Sequence, residues 1–260
     1  MYLEPSELIL NADGSIYHLN LLPQDIANTI ITVGDPERVS DVSKYFDTIE
    51  IKKGKREFIT HTGTLQGKRL TVISTGIGTD NIDIVLNELD ALVNVDFESR
   101  QIKDKKTQLD IIRIGTSGAI QADVSVDSFL ISQYAMGFDA LLHFYDSEHV
   151  QLQEISKAFV KECDWSAQKS VPYVVQCDES LAQVLSSNRI RFGFTVTNIG
   201  FYGPQGRIVR LKTTDKQLNQ KLTDFSFENL KITNLEMETS GIYGLSKLLG
   251  HRAVSMNCIL

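Results

Sequence analysis

The residue with the most specific chemistry in this sequence is an arginine inside an apolar run. Residues 110–121 read DIIRIGTSGAIQ, which places Arg113 among isoleucines and shortly before Gly115. A buried cation is costly unless an anion accompanies it. The pattern therefore leaves two interpretations: Arg113 binds an anionic ligand together with Thr116, or it pairs with a carboxylate of the core.

A second anion-binding pattern follows residues 29–33, an apolar run typical of a buried strand. Gly34 permits a tight turn after this run, Asp35 suits a helix N-cap, and Pro36 fits the first helical position. Free backbone N–H groups at a helix start attract anions, and Arg38 would add a positive charge one turn later. An ordinary well-capped helix explains the same residues.

Two glutamates, Glu236 and Glu238, flank Met237 at the end of another apolar run. Side chains alternate along a strand, so both carboxylates would lie on one face. Such a pair can accept hydrogen bonds from a sugar diol, although surface acids show the same spacing.

Residues 198–207, NIGFYGPQGR, are predicted to form a loop rich in glycine, proline and aromatic rings. Phe201 offers an aromatic wall, and Gln205 and Arg207 offer planar hydrogen-bonding groups. These side chains suit a heterocyclic base, and they also occur in loops that bind nothing.

The composition restricts the partners of this chain. Its 260 residues are 42% hydrophobic and carry a formal charge of −7, which argues against nucleic acid as a partner. A small phosphorylated ligand needs only a few local cations. Three widely spaced cysteines predict free thiols in a reducing cytoplasm, and no signal peptide or membrane-length apolar run is present.

The elements that must position these residues alternate between strand and helix, without repeats or linkers. This pattern predicts a single three-layer α/β/α domain over residues 1–260 with a mixed central sheet. Predicted strands cover residues 29–33, 46–51, 58–65, 69–74, 111–114, 128–132, 171–175, 189–196, 232–237 and 252–260. Predicted helices cover residues 82–93, 151–161, 180–186, 216–222 and 240–249, the last closed by Gly250. A helix covering the last strand would normally follow, so we expect that a C-terminal element is absent from this sequence.

Several common catalytic motifs do not occur in the sequence. The glycine-rich turns after predicted strands, at Gly34, Gly76–Gly78 and Gly115–Gly118, continue neither to a P-loop nor to GxGxxG. HExxH and GxSxG are also missing, which leaves ATPase, dinucleotide-binding, zinc-hydrolase and serine-hydrolase assignments without support. These turns lie where open α/β sheets bind ligands, at the ends of strands.

Taken in order, six motifs resemble the nucleoside phosphorylase family, and within it most of all the uridine phosphorylases. The motifs are GDPERV (34–39), KREF (55–58), STGIGTDN (74–81), RIGTSGAIQ (113–121), FYGPQGR (201–207) and LEMETS (235–240). The resemblance extends from Tyr17 to Leu260. It implies a partly barrel-like sheet, a hexamer built from dimers with sites shared between subunits, and reversible phosphorolysis of a nucleoside to free base and ribose 1-phosphate.

The resemblance also implies a role for each matched residue. The phosphate ligands would be Gly34, Arg38, Arg113 and Thr116, with Arg56 from the adjacent subunit. The ribose ligands would be Glu236, Met237 and Glu238, with His18 from the adjacent subunit. The base ligands would be Phe201, Gln205 and Arg207, and the catalytic groups Arg113, Arg207 and Glu238. Phosphate would be a co-substrate and no cofactor is implied, apart from a potassium ion near Glu57 and Asn81, where Asn81 replaces an expected serine.

Two features of the resemblance favour uridine as the substrate. Leu260 stands where the purine enzymes carry a catalytic aspartate, and Gln205 and Arg207 keep the pair associated with uracil. The sequence departs from the family in the short segment after Arg207 and in the order Gly203-Pro204. The alternatives are a purine nucleoside phosphorylase, a nucleosidase, which has no need of two site arginines, and a non-catalytic nucleoside-binding relative. The prediction is a cytoplasmic pyrimidine-salvage enzyme.

Overall fold

The computed structural model describes residues 2–260, and its contacts group the chain into two compact units. Unit 1 comprises Met1–Ile77, Asn81–Ile112 and Leu249–His251. Unit 2 comprises Gly78–Asp80, Arg113–Leu248 and Arg252–Leu260. Within the described residues there are six α-helices, and none is long and apolar enough to cross a membrane.

Unit 1 is built on a small mixed sheet with a short helix after its first strand. The bounds are β1 Thr29–Val33, α1 Glu37–Ser43, β2 Thr48–Lys55, β3 Phe58–Leu65 and β4 Lys68–Ser74. β1 is parallel to β4, whereas β4, β3 and β2 form an antiparallel meander, which confirms the strands predicted over residues 46–51, 58–65 and 69–74. Val33, Val39 and Val72 are buried together in its core.

The helix α2, Thr79–Asn94, confirms the predicted apolar helix, because Val85, Leu86, Leu89 and Leu92 are fully buried. A short antiparallel hairpin follows it, in which the two-residue strand β5, Val95–Asp96, pairs with the two-residue strand β6, Gln101–Ile102. The polar segment after α2, for which the sequence predicted no strand or helix, therefore begins with regular structure.

The strand β7, Asp110–Ala119, corrects one expectation. The sequence predicted that it would break into a loop at Gly115, but the strand continues to Ala119. Its last residues pair with the later strand β12, Leu230–Glu236, in which Asn234 lies opposite Ala119. Gly115 is needed for a different reason: a Cβ there would lie 2.2 Å from Nη1 of Arg113, so the glycine makes room for that side chain.

Unit 2 contains the remaining elements. They are β8 Phe129–Gly137, α3 Gln153–Glu162, β9 Tyr173–Gln176, α4 Glu179–Leu185, β10 Ile190–Thr197, α5 Leu218–Asp224, β11 Ser226–Phe227, α6 Thr239–Leu249 and β13 Arg252–Ile259. β10 lies parallel to β8 and β12, whereas β13 is antiparallel to β8 and β12 is antiparallel to β7. The pairings β12–β10–β8–β13–β7–β12 therefore close a circuit, as a partly barrel-like mixed sheet requires.

The C-terminal elements of unit 2 follow the sequence prediction closely. α6 ends at Leu249, and Gly250 adopts a left-handed φ of 79°, as expected of a C-capping glycine. β13 covers Arg252–Ile259, nearly the predicted range. The mixed α/β fold class is confirmed.

Candidate active site

Arg113 lies at the centre of a buried charge cluster in unit 2. Its side chain is buried, with a relative exposure of 6%. Nη2 donates to Oε2 of Glu238 at 2.6 Å and lies 3.3 Å from Oε2 of Glu236. Nη1 donates to Oδ1 of Asn257 at 2.9 Å. The structure thus shows the ion pair that the sequence left open, and its partners are the two glutamates expected at the ribose.

The charges of this cluster do not balance, because two carboxylates share one guanidinium. Burial alone would lower the pKa of Arg113, but Glu236 and Glu238 outweigh it, so the pKa is raised above its ordinary value. Burial raises the pKa of Glu238; Arg113 opposes this rise and Glu236 reinforces it. The cluster therefore carries a surplus of negative charge when all three groups are ionised.

Glu236 is held at the start of α6 by internal hydrogen bonds. Its Oε2 accepts from the backbone N–H groups of Glu238 and Thr239, both at 2.9 Å, and from Oγ1 of Thr239 at 2.8 Å. Its Oε1 accepts from Oγ1 of Thr197 at 2.6 Å. A carboxylate has about four lone-pair positions, two on each oxygen, so Oε2 is saturated whereas Oε1 can accept one more hydrogen bond. Glu236 thus acts as a cap for free N–H groups at the helix start.

Glu236 and Glu238 do lie close together, but not because of strand alternation, as the sequence predicted. β12 ends at Glu236, so strand alternation does not place Glu238 on the same face. The chain instead turns at half-buried Met237 into α6, and both carboxylates converge on Arg113. Oε1 of Glu238 also accepts from the backbone N–H of Gly78 at 2.9 Å, which ties the carboxylate to the predicted Gly76–Gly78 turn.

A buried polar network supports Glu236 from behind. The backbone N–H of Ser240 donates to Oγ1 of Thr197 at 2.9 Å, and Oγ of Ser240 donates to Oδ2 of Asp139 at 3.1 Å. The hydroxyl of Tyr173 donates to Oδ1 of Asp139 at 2.7 Å. Burial raises the pKa of Asp139 although these hydrogen bonds oppose the rise. No motif in the sequence indicates this network, because its members are isolated polar residues without a common spacing.

Thr116 lies on β7, three residues after Arg113. Residues Arg113, Gly115 and Ser117 are buried, whereas Thr116 is half-buried, in the alternation expected of a strand. The buried Oγ of Ser117 accepts from Nδ2 of Asn234 at 2.9 Å.

Gly34 lies in the turn between β1 and α1, Arg38 is the second residue of α1, and both belong to unit 1. Oδ1 of Asp35 accepts from the backbone N–H of Glu37 at 2.9 Å, so Asp35 binds one free N–H group at the helix start, but the N-cap position is Pro36 and not Asp35 as predicted. The helix itself begins at Glu37, after Pro36, and spans only seven residues. Arg38 is half-buried in its first turn.

His18 and Arg56, the two residues expected to act in an adjacent subunit, lie on linked segments of unit 1. Arg56 occupies the turn between β2 and β3 with a left-handed φ of 56°. Nζ of its neighbour Lys55 donates to the backbone oxygen of Tyr17 at 2.5 Å, directly before His18. Nδ1 of His18 lies 2.6 Å from Oε1 of Glu88 on α2. The sequence did not indicate these contacts of Glu88 and Lys55. Glu88 is an acid beside the buried positions of α2.

Glu57 and Asn81 both lie against the Gly76 turn in unit 1. A Cβ at Gly76, whose φ is 70°, would lie 2.3 Å from Nδ2 of Asn81 and 3.1 Å from Cγ of Glu57. Among residues 2–260, no group of three or more histidine, cysteine or acidic side chains is arranged to hold a metal ion.

The three residues expected at the base form one cluster in unit 2. Nη1 of Arg207 donates to the backbone oxygen of Phe201 at 2.8 Å and to Oε1 of Gln205. The guanidinium lies 4.0 Å above the Phe201 ring, a cation–π distance. Gln205 is buried, and its backbone oxygen accepts from Nδ2 of Asn219 at 3.2 Å. A Cβ at Gly118 would lie 3.9 Å from Nη2 of Arg207, so the cluster borders β7.

A cavity of about 960 Å³ opens beside the base loop, within unit 2. Phe138, Trp165 and Tyr202 are among its walls, and Arg207 also lines it. Arg207 therefore borders both the base cluster and a space large enough for a small organic molecule.

Comparison with known proteins places this geometry in a family. The model of the Phosphorylase superfamily matches residues 28–260. The chain is 29% identical to a uridine phosphorylase of Thermococcus kodakarensis, over 93% of this chain and 75% of that protein. It is 28% identical to a DeoD-type purine nucleoside phosphorylase of Listeria monocytogenes, over 92% of this chain and 84% of that protein.

A solved structure agrees in fold as well as in sequence. The nucleoside phosphorylase of Trypanosoma brucei, described as showing uridine phosphorylase activity, superposes with a TM-score of 0.83 at 29% identity. The match covers 97% of this chain and 90% of that one, which confirms the nucleoside phosphorylase-like fold. The chain belongs to the Phosphorylase superfamily and is a nucleoside phosphorylase, an enzyme of the pentosyltransferase class.

Proposed function

We propose that this enzyme catalyses the reversible phosphorolysis of uridine to uracil and ribose 1-phosphate. The observation that carries the proposal is the paired geometry of Gln205 and Arg207 beside β7. The imide edge of uracil presents an acceptor, a donor and an acceptor in a row. A glutamine amide supplies one acceptor and two donors, and a guanidinium supplies further donors. The cluster thus holds a hydrogen-bonding pattern complementary to uracil, with Phe201 as a stacking wall.

The charge cluster around Arg113 suits the reacting ribose. Cleavage of the glycosidic bond builds positive charge on the sugar ring, as in other oxocarbenium-like transition states. The surplus negative charge of Glu236 and Glu238 would stabilise that charge while phosphate attacks the anomeric carbon. Glu238 would bind the ribose diol, and Arg207 would stabilise the negative charge of the leaving base. No nucleophilic side chain is needed, because phosphate is the nucleophile.

The remaining roles follow the family resemblance. In this proposal phosphate is held by Gly34, Arg38, Arg113 and Thr116, with Arg56 from an adjacent subunit, and the ribose by Glu236, Met237 and Glu238, with His18 from an adjacent subunit. The link through Lys55 supports a joint role for His18 and Arg56, because it places them on connected segments. We extend the proposal to a dimer-based hexamer, to a potassium ion near Glu57 and Asn81, and to a cytoplasmic location, which suits three free cysteines.

A substrate panel tests the proposal: uridine, thymidine, inosine and adenosine, each with and without phosphate, with release of free base as the readout. We expect uracil release that depends on phosphate. Equal release without phosphate would indicate a nucleosidase. A preference for inosine or adenosine would indicate a purine enzyme, the alternative that the DeoD-type relative supports. No release from any nucleoside would indicate a non-catalytic binding protein.

A further inference from the structure

We propose that Glu88 is a positioning residue that fixes the orientation and the tautomer of the His18 ring for its contact with the ribose of the nucleoside. The inference rests on the proposed function, in which His18 contacts ribose. It adds a residue that neither motif nor spacing pointed to, and it assigns a direction to the hydrogen bond.

The carboxylate of Glu88 contacts three N–H groups, two of the backbone and one of the His18 ring. The backbone N–H of His18 donates to Oε1 at 3.0 Å, and that of Leu19 donates to Oε2 at 2.8 Å. The ring Nδ1 of His18 lies 2.6 Å from Oε1. The side chains of Glu88 and His18 have relative exposures of 13% and 25%, so the pair is largely shielded while part of the ring remains accessible.

The chemistry of the partner determines the tautomer of the histidine. An ionised carboxylate can only accept hydrogen bonds, so Nδ1 of His18 must carry the proton that it shares with Glu88. In the neutral ring, Nε2 then has a lone pair and no proton. In the neutral ring, the exposed end of His18 is therefore an acceptor, which fits the O–H group of an alcohol.

The backbone that carries His18 is also fixed in place. Nζ of Lys55 donates to the backbone oxygen of Tyr17 at 2.5 Å and to Oδ1 of Asn11 at 3.0 Å. The same ammonium lies 4.3 Å from the centre of the Tyr17 ring, whose edge meets the His18 ring at 4.7 Å between centroids. The backbone next to His18 is therefore held by Lys55, and the His18 ring needs no reorientation when a ligand binds.

The 5′-hydroxyl is the group left for His18 within the proposed ribose site. A carboxylate such as Glu238 accepts from the neighbouring 2′- and 3′-hydroxyls, which form a diol. The 5′-hydroxyl is the only other alcohol of a nucleoside. Preference for a free 5′-hydroxyl would make the enzyme selective for nucleosides over 5′-nucleotides.

The kinetic test compares uridine with 5′-deoxyuridine in wild-type enzyme, Glu88→Ala, His18→Ala and the double variant. One neutral hydrogen bond is worth roughly 2- to 10-fold, so we expect wild-type enzyme to prefer uridine in kcat/KM by about that factor. We expect Glu88→Ala to bring the ratio close to one. The double variant should match His18→Ala, because Glu88 acts through His18.

Asp90→Asn is the matched control, since Asp90 lies on the same helix and its Oδ1 is 3.2 Å from Nε2 of another histidine, His251. We expect the control to keep the wild-type preference for uridine even if its thermal stability falls. An unchanged ratio in Glu88→Ala, or an equal loss in Asp90→Asn, would overturn the proposal.

A measurement without turnover separates this inference from the proposed function. Proton–nitrogen correlation spectra of enzyme with ¹⁵N-labelled histidine report which ring nitrogen is protonated, and His18→Ala identifies the signal among five histidines. We expect protonated Nδ1 in wild-type enzyme. Glu88→Gln should exchange the protonated nitrogen, because its amide N–H can donate to Nδ1. Protonated Nε2 in the neutral wild-type ring would refute the inference, even in an active uridine phosphorylase.

Discussion

Replacing Arg113 by methionine should destabilise the protein far more than replacing an exposed residue of the site would. The variant keeps most of the apolar stem but leaves Glu236 and Glu238, which are 4% and 5% exposed, without their cation. Breaking a buried ion pair by removing one partner costs about 3–5 kcal/mol. Because folded proteins are stable by only about 5–15 kcal/mol, this loss is a large fraction of the total.

Equilibrium unfolding in urea at pH 8 measures the effect through the transition midpoint. Adding Glu238→Gln to Arg113→Met should recover part of the loss, because one uncompensated charge is then removed. Arg191→Met serves as control, since Arg191 contacts Asp123 at 2.9 Å on the exposed surface, and it should leave the midpoint almost unchanged.

The reasoning is refuted if Arg113→Met lowers the free energy of unfolding by less than about 1 kcal/mol, the range of an exposed pair. It is equally refuted if the double variant is no more stable than the single one. A loss of phosphate-dependent turnover in an Arg113 variant can be assigned to the site only after the folded fraction has been measured.

Three further predictions follow from the same cluster. Gly115→Ala should destabilise the wild-type protein by about 1–3 kcal/mol through overpacking. This destabilisation should be smaller in the Arg113→Ala background, and thermal unfolding with and without Gly115→Ala in each background measures the difference. Because the pKa of Glu238 is raised in the folded state, the native protein binds a proton more tightly than the unfolded chain. Its contribution to stability should therefore fall as pH rises above the ordinary glutamate pKa, and Glu238→Gln should remove that slope in urea titrations across pH. Glu236→Gln should cost about 1–3 kcal/mol by leaving donors unpaired, more than Thr197→Val, measured by urea unfolding.

The sequence predicted those parts of the fold that depend on local patterns. The strands predicted over residues 46–51, 58–65 and 69–74 correspond to β2, β3 and β4, and the helix predicted over residues 240–249 with Gly250 after it corresponds to α6. Local patterns failed at β7, where Gly115 was interpreted as a break. Its role depends on the side chain of Arg113 folding back over it and on pairing with a distant strand, neither of which a window of neighbouring residues contains.

The candidate site was predicted in composition but not in geometry. Arg113, Glu236 and Glu238 do meet in space, yet the two glutamates converge because the chain turns at Met237 rather than through strand alternation. Glu88 was missed because a single acid on an amphipathic helix has no signature until its partner is placed. Roles in binding phosphate, ribose and base stay predictions until the variants are assayed.

The closed strand circuit has a consequence for how the molecule is made. The final pairing joins Ala119 on β7 to Asn234 on β12, residues far apart in the chain, and such non-local contacts form slowly. During synthesis, Arg113 leaves the ribosome long before Glu236, Glu238 and Asn257, the groups that neutralise or bind it. A nascent chain that lacks these groups cannot bury this arginine favourably, so the charge cluster can be completed only after β13 has been made. Partly made chains should remain open and depend on chaperones until the last strand has emerged.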